Sequence, residues 1–314
     1  MSKPLSFGLS SVDTSGLDSF SSNNHYNPFR VSDSFDSGNN NGYAPRFDGD
    51  LLLSNNIRKL DTENYAKGGN GGGGKGGGNG GGGGGGDGTL SKYISGAEGG
   101  YNIEINFKGT WTVDLQQAFI DSSEFLSSTI VGDLADVFYR GKVIDDIKID
   151  ATLKEIDGEG GVLGQAGATA VRTSNYLPAT AIMEFDVADA STFNQAGLWD
   201  DIVTHEMIHS IGFSANIWEF LGLITGKGGE NPLFVGENAT LAYEALFNAV
   251  NAAGVALEQD GGAGTRDSHW DEETFINELM TGYINNENYI SDMTIAALED
   301  MGYDTVFDAA DYLV

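Results

Sequence analysis

Four histidines occur in 314 residues: His25, His205, His209 and His269. Two of them stand in His205-Glu206-Met207-Ile208-His209. On a helix, positions i and i+4 share a face, so one divalent ion can accept a nitrogen from each imidazole. Glu206 then lies about 100° round the helix from His205, where it can take a proton from water without ligating the ion. The chemistry this pattern offers is zinc-assisted hydrolysis. The ion polarises a carbonyl and acidifies water, and the carboxylate takes the proton and passes it to a leaving amine. The pentapeptide alone is weak, because chance supplies it in roughly one chain per hundred of this length. A plain helix with two surface histidines has the same letters.

A catalytic zinc needs three protein ligands and an open fourth position. His25 falls in a low-complexity stretch, which leaves His269 in the polar segment Gly264-Thr-Arg-Asp-Ser-His-Trp270. Gly212, three residues after His209, can adopt φ > 0, stop the helix and turn the chain back. The pattern H-E-x-x-H-x-x-G opens the zinc site of metzincins. Their compact form places the third histidine six residues after the second, where Ala215 stands here. The third ligand must come from elsewhere, and His269 is the leading candidate. Asn286–Asp292 offers a carboxylate alternative whose spacing is one residue too long. The zinc endopeptidase reading has one rival from another class, a catalytically silent zinc-stabilised secreted binding or adhesion protein. A purely structural zinc site would not require Glu206.

The elements that must hold these groups are legible in part. Gly197–Gly212 reads as a helix with a glycine at each end, and Met207 and Ile208 as its core-facing residues. Thr112–Val131 reads as an amphipathic helix, with Val113, Leu115, Phe119, Phe125, Leu126 and Ile130 near helical spacing. Tyr101–Phe107, Val143–Leu153 and Ala179–Val187 read as strands, and Gly158–Gly167 as a glycine-punctuated loop. Trp199, Phe213, Trp218 and Trp270 read as core or rim packing. Strands mixed with two long helices indicate an α/β or α+β domain.

Composition bounds the rest. The 46 glycines concentrate in one stretch, and there is no cysteine, which excludes disulfides, thiolate ligands and a cysteine nucleophile. Three zones follow: residues 1–66 as a low-complexity leader or pro-segment, 67–97 as a polyglycine linker, and 98–314 as the catalytic domain. Net charge is −30; residues 1–88 hold 7 Lys/Arg and 9 Asp/Glu, leaving −28 for residues 89–314. Such a surface repels nucleic acid and anionic membranes. The carboxylate excess also raises calcium sites, although no D-x-D-x-D-G loop supports one. No stretch approaches the ~20 apolar residues of a membrane span, and Met1–Phe20 lacks the apolar run of a secretory signal. Asp311-Tyr-Leu-Val314 is similar to the end of type I export signals and reads equally well as the final packing segment of the domain. The expectation is an extracellular or cell-surface protein without an N-terminal signal peptide, with a cytoplasmic location as the alternative.

One resemblance goes further. His205-Glu-Met-Ile-His-Ser-Ile-Gly-Phe213, a long insertion, Ser268-His-Trp270, Asn277-Glu-Leu-Met-Thr-Gly282 and the closing Ser291–Tyr303 together resemble the leishmanolysin family of metzincins, its bacterial members most closely. The resemblance implies a metzincin-like zinc peptidase domain, with a twisted mixed sheet, two long helices and a mainly helical C-terminal subdomain. It implies zinc held by His205, His209 and His269, Glu206 as the catalytic base, Met280 as the Met-turn methionine, and protein or peptide substrates. In metzincins an edge strand near the site binds substrate through its backbone. The parasite enzymes block their zinc with a propeptide cysteine, which this chain cannot do. Gly282 stands where some metzincins carry an extra tyrosine ligand, and Tyr283 is one position too late.

Overall fold

The structure is a computed structural model that describes residues 57–60, 88–160, 162–262 and 264–312. In the N-terminal half, short strands β1 (Arg58–Leu60) and β2 (Lys92–Ile94) precede β3 (Ile103–Lys108) and the 17-residue helix α1 (Val113–Thr129). Thr112 caps α1 by accepting from the Leu115 amide at 3.3 Å, as a threonine at that position does. Leu115, Ala118, Phe119, Ser122 and Leu126 form its buried stripe. A hairpin of β4 (Val137–Tyr139) and β5 (Lys142–Ile144) follows, then β6 (Ile147–Lys154), β7 (Gly164–Arg172) and β8 (Pro178–Asp186). Helices α2 (Val187–Ala196) and α3 (Trp199–Ser210) complete this half.

The main sheet has six strands in the order β1-β7-β8-β6-β3-β2. It is mixed: β1 runs parallel to β7, β7 antiparallel to β8, β8 and β6 parallel, β6 and β3 parallel, and β3 antiparallel to β2. Helices α1 and α3 pack on each other, and α3 also packs on β7 and β8. Phe119 joins the layers, meeting Phe107, Trp111 and Phe185 edge to face at centroid distances of 5.1–5.5 Å.

Beyond Gly212 lie α4 (Ala215–Leu221), strands β9 (Ile224–Thr225) and β10 (Leu233–Phe234), α5 (Glu237–Phe247), β11 (Val255–Ala256), α6 (Glu272–Phe275) and α7 (Asp292–Met301). A 3-10 turn, Ala309–Tyr312, ends the described chain. Phe213, Trp218, Phe234 and Trp270 form an aromatic cluster with centroids 4.7–6.1 Å apart. Aromatic pairs of this kind stabilise by ~0.5–1.5 kcal/mol beyond area burial.

The α+β class and the mixed sheet agree with the sequence reading, and several details differ. Val143–Leu153 is two strands in two sheets, because the chain breaks pairing at Asp145-Asp146. The expected loop Gly158–Gly167 gives way to β7 at Gly164. There Ala166, Ala168 and Ala170 are buried, too small to announce a strand by hydropathy. Helix α2 has no counterpart among the sequence expectations. Two sheet strands, β1 and β2, lie N-terminal of residue 98, within the stretches read as leader and linker. The C-terminal part is less helical than expected; four short helices are joined by long irregular segments and a three-stranded sheet. Most of residues 1–87, including His25 and the glycine run, and the final Leu313-Val314 lie outside the described residues. Among the described residues no helix is long and apolar enough to cross a membrane.

Candidate metal centre

Helix α3 is buried almost all round. From Asp201 to Ser210 every residue is buried, including Thr204, His205, Glu206 and His209. A helix with this many polar groups inside must satisfy them locally. The Thr204 and Ser122 hydroxyls meet at 2.7 Å, joining α3 to α1. Trp199 Nε1 donates to the Leu115 carbonyl at 3.1 Å, and Asn288 donates to Asp201 at 2.9 Å.

Gly212 ends the helix as expected. It sits at φ +109°, its amide donates to the His209 carbonyl at 2.9 Å, and the Phe213 amide reaches back to Ile208 O at 3.3 Å. This paired closure is the Schellman type. It aims the Phe213 carbonyl at His209 Nδ1, 2.6 Å away. A Cβ at Gly212 would come within 3.1 Å of the Pro178 ring and of Met301 Cε.

His269 arrives from a segment that is polar in sequence but buried in fact: Thr265, Asp267, Ser268, His269 and Trp270 are all buried. The segment compensates with backbone pairing. Glu258 N donates to His269 O, Asp267 N to Glu258 O and Trp270 N to Met280 O, each at 2.9 Å. Ser268 Oγ accepts from the Ala215 amide at 3.2 Å, tying the segment to the start of α4.

The three Nε2 atoms of His205, His209 and His269 lie 3.0–3.1 Å from one another. Each Nδ1 faces a backbone carbonyl: Leu279 O at 2.7 Å, Phe213 O at 2.6 Å and Thr265 O at 2.9 Å respectively. A carbonyl only accepts, so each Nδ1 carries the hydrogen, and in a neutral imidazole Nε2 then holds a bare lone pair. Burial, followed by the neighbouring imidazoles, pushes the pKa values of His205 and His209 well below the usual histidine value. The short Nε2 approaches are therefore lone pairs converging on one point, not hydrogen bonds. This arrangement is repulsive without a cation between them. All-imidazole donors at this spacing suit an ion that binds nitrogen at ~2.0–2.1 Å, as zinc does.

Sequence reasoning missed two residues at this centre. Gly164, the first residue of β7, lies against Glu206: a Cβ there would be 3.2 Å from Glu206 Cγ and 2.9 Å from the Phe185 ring. Only glycine lets the strand pass the carboxylate this closely. Glu278 is fully buried beside Leu279 and Met280. It accepts from Met280 N at 2.5 Å, Ser291 N at 3.0 Å, Ser291 Oγ at 2.8 Å and Thr294 Oγ1 at 2.5 Å. Burial pushes its pKa up and these donors oppose the rise. The letters Asn-Glu-Leu-Met carried the signal, an acid embedded between apolar residues. Glu287 of the alternative ligand segment is exposed and outside the histidine group.

Among the described residues one further group, Asp133, Asp145 and Asp146, has ligand atoms within 4.8 Å of one another. Burial raises Asp145 to about 6, with the neighbouring Asp136 and Asp133 adding to it, and raises Asp146 to about 7. A group titrating at about 7, as Asp146 does, is only partly ionised near neutral pH.

A family model described as leishmanolysin matches residues 153–314, just over half of the chain. The leishmanolysin homolog of Crithidia fasciculata is 34% identical over 149 residues, 46% of this chain and 22% of that protein. Leishmanolysin of Leishmania donovani is 28% identical over 155 residues, 47% of this chain and 26% of its own length. A leishmanolysin-like peptidase of Drosophila melanogaster is 26% identical over 144 residues, covering 32% of this chain and 21% of the fly protein. The chain thus spans about a quarter of the length of the curated relatives it matches. The matched region carries both histidines of α3, Glu206, Gly212, His269 and Met280, and on that ground the chain belongs to the leishmanolysin family.

Proposed function

We propose that this protein is a zinc-dependent endopeptidase of metzincin type acting on protein or peptide substrates. His205, His209 and His269 hold the metal and Glu206 serves as general base. The observation that carries the reading is the convergence of three Nε2 lone pairs, each fixed by a carbonyl at its Nδ1. Zinc, when bound, supplies a Lewis acid that polarises the scissile carbonyl and acidifies water. The chain's own residues do the rest. The three carbonyls lock the tautomer and ring orientation of each ligand, so little reorganisation accompanies binding. Glu206, held between α3 and the start of β7, takes a proton at its carboxylate and later delivers it to the leaving amide nitrogen. Burial keeps bulk water from competing for that proton.

Substrate backbone has a place to pair. Strand β8 lies inside the sheet, but β1 covers only Ala170–Arg172 of β7. The stretch of β7 from Gly164 to Thr169 has no described strand on that side. An extended peptide added there would run past Glu206, using main-chain hydrogen bonds for affinity.

The test compares wild type, Glu206→Gln and His269→Ala for zinc content and for casein cleavage with and without a chelator. Glu206→Gln is expected to keep stoichiometric zinc and lose cleavage, and His269→Ala to lose both. A wild-type protein that binds zinc but shows no chelator-sensitive cleavage over a broad pH range would favour a zinc-stabilised binding protein instead.

A further inference from the structure

The ligand His205 is oriented by the Leu279 carbonyl, and that carbonyl belongs to the same peptide unit as the Met280 amide. A peptide unit is planar and rigid, so whatever holds its N–H also aims its C=O. The Met280 N–H donates to Glu278 Oε2 at 2.5 Å, while the Leu279 C=O accepts from His205 Nδ1 at 2.7 Å. The line runs from carboxylate to peptide to imidazole.

The other oxygen of Glu278 is held just as firmly. Thr294 Oγ1 accepts from Trp270 Nε1 at 2.9 Å, so its own hydrogen is left for Glu278 Oε1 at 2.5 Å. Ser291 Oγ accepts from the Thr294 amide at 3.3 Å, so its hydroxyl likewise donates to Oε1, alongside the Ser291 amide. Every partner donates, and the carboxylate only accepts. Trp270 directly follows His269 and gives its own amide to Met280 O. One buried acid therefore fixes the start of α7, the peptide behind His205 and the residue next to His269.

We propose that Glu278 is a positioning residue of the metal centre, acting on His205 through the Leu279–Met280 peptide. Its oxygen, accepting from the Met280 N–H, polarises that peptide toward the imidazole, which strengthens Nε2 as a donor. In many metal sites a carboxylate contacts the ligating histidine directly. Here a peptide unit stands between them. The inference rests on the zinc reading above.

The experiment measures zinc affinity of the full chain by competition against a chelator, and the visible spectrum of the cobalt-substituted protein. Glu278→Gln keeps the volume but puts an amide NH₂ where only acceptors serve, so it must leave either Met280 N–H or the Oε1 donors without a partner. Asp300→Asn is the control, since Asp300 caps α5 through the Asn238 and Ala239 amides at 2.9 and 2.8 Å. The expected result for Glu278→Gln is zinc affinity weaker by about 10–100-fold, the range seen for outer-shell partners, with shifted cobalt bands. Asp300→Asn is expected to lose stability alone. Glu278→Gln within about twofold of wild type in affinity with unchanged cobalt bands overturns the proposal, as does an equal affinity loss in Asp300→Asn. If Glu278→Gln does not fold, Thr294→Val, which removes one donor and the Trp270 acceptor, is read against the same two outcomes. A wild-type chain that binds no zinc sinks the zinc reading itself and is told apart by that result.

Discussion

Substituting Gly212 by alanine tests the geometry that links the helix end to the metal centre. The backbone there sits at φ +109°, beyond the small left-handed region open to other residues. A non-glycine residue so placed costs ~1–3 kcal/mol. The added Cβ would also lie 3.1 Å from Pro178 Cγ and Cδ and from Met301 Cε. The methionine end can move; the proline ring, fixed in the first residue of β8, cannot. Overpacking of this kind costs a further ~1–3 kcal/mol, so the total is ~2–6 kcal/mol against ~5–15 kcal/mol for a whole domain. Gly197→Ala is the matched control. It sits at φ +73°, and a Cβ added there would meet nothing within 4 Å, so only left-handed strain of ~1–2 kcal/mol applies. Urea unfolding of the chelated proteins gives both losses, and a zinc titration follows. Gly212→Ala is expected to lose more stability than Gly197→Ala and to bind zinc more weakly, because the Phe213 carbonyl behind His209 shifts with it. Equal losses within ~0.5 kcal/mol, with zinc affinity unchanged in both, would refute the reasoning.

Three further outcomes follow from the site. The chelated protein should lose stability as pH falls below ~6.5. The folded pKa values of His205 and His209 are depressed, so the unfolded chain takes up protons first, at ~1.4 kcal/mol per pH unit for each histidine; pH-dependent unfolding that is flat between pH 7 and 5 would contradict this. Asp145 has its folded pKa raised to about 6, so its favourable contribution is present in acid and lost as pH rises through that value. Asp145→Asn should therefore stabilise the protein more at pH 8 than at pH 4, read from thermal midpoints at the two pH values. Gly164→Ala should leave zinc content intact and lower kcat by the order of 10–100-fold, since a displacement of ~1 Å at a catalytic group has effects of that size; steady-state kinetics with metal analysis checks it.

The sequence carried the candidate metal-site pattern because helical periodicity is local. Two histidines at i and i+4 share a face wherever the helix packs, and Gly212 marks the helix end whatever surrounds it. The amphipathic stripe of α1 and the strands Ile103–Lys108 and Pro178–Asp186 were legible for the same reason, through side chains whose spacing repeats. Strand β7 was not, because its buried positions before Val171 are alanines and glycines, small enough for close approach to α3 and Glu206. Nor were β1 and β2, three residues each, since segments so short have no period and exist only because a sheet edge receives them.

The approach of His269 to the other two histidines was inferred from counting and resemblance, and the fold supplies its cause. A polar segment 60 residues downstream of His209 is drawn into the interior by backbone pairing with Glu258 and Met280. The roles of Leu279, Phe213 and Thr265 had no sequence signal at all, because they act through carbonyl oxygens that every residue possesses. Composition and spacing determined which side chains could hold a metal. Only the tertiary structure decided which backbone groups orient them, because a carbonyl's direction depends on the path of the chain and not on the residue that carries it.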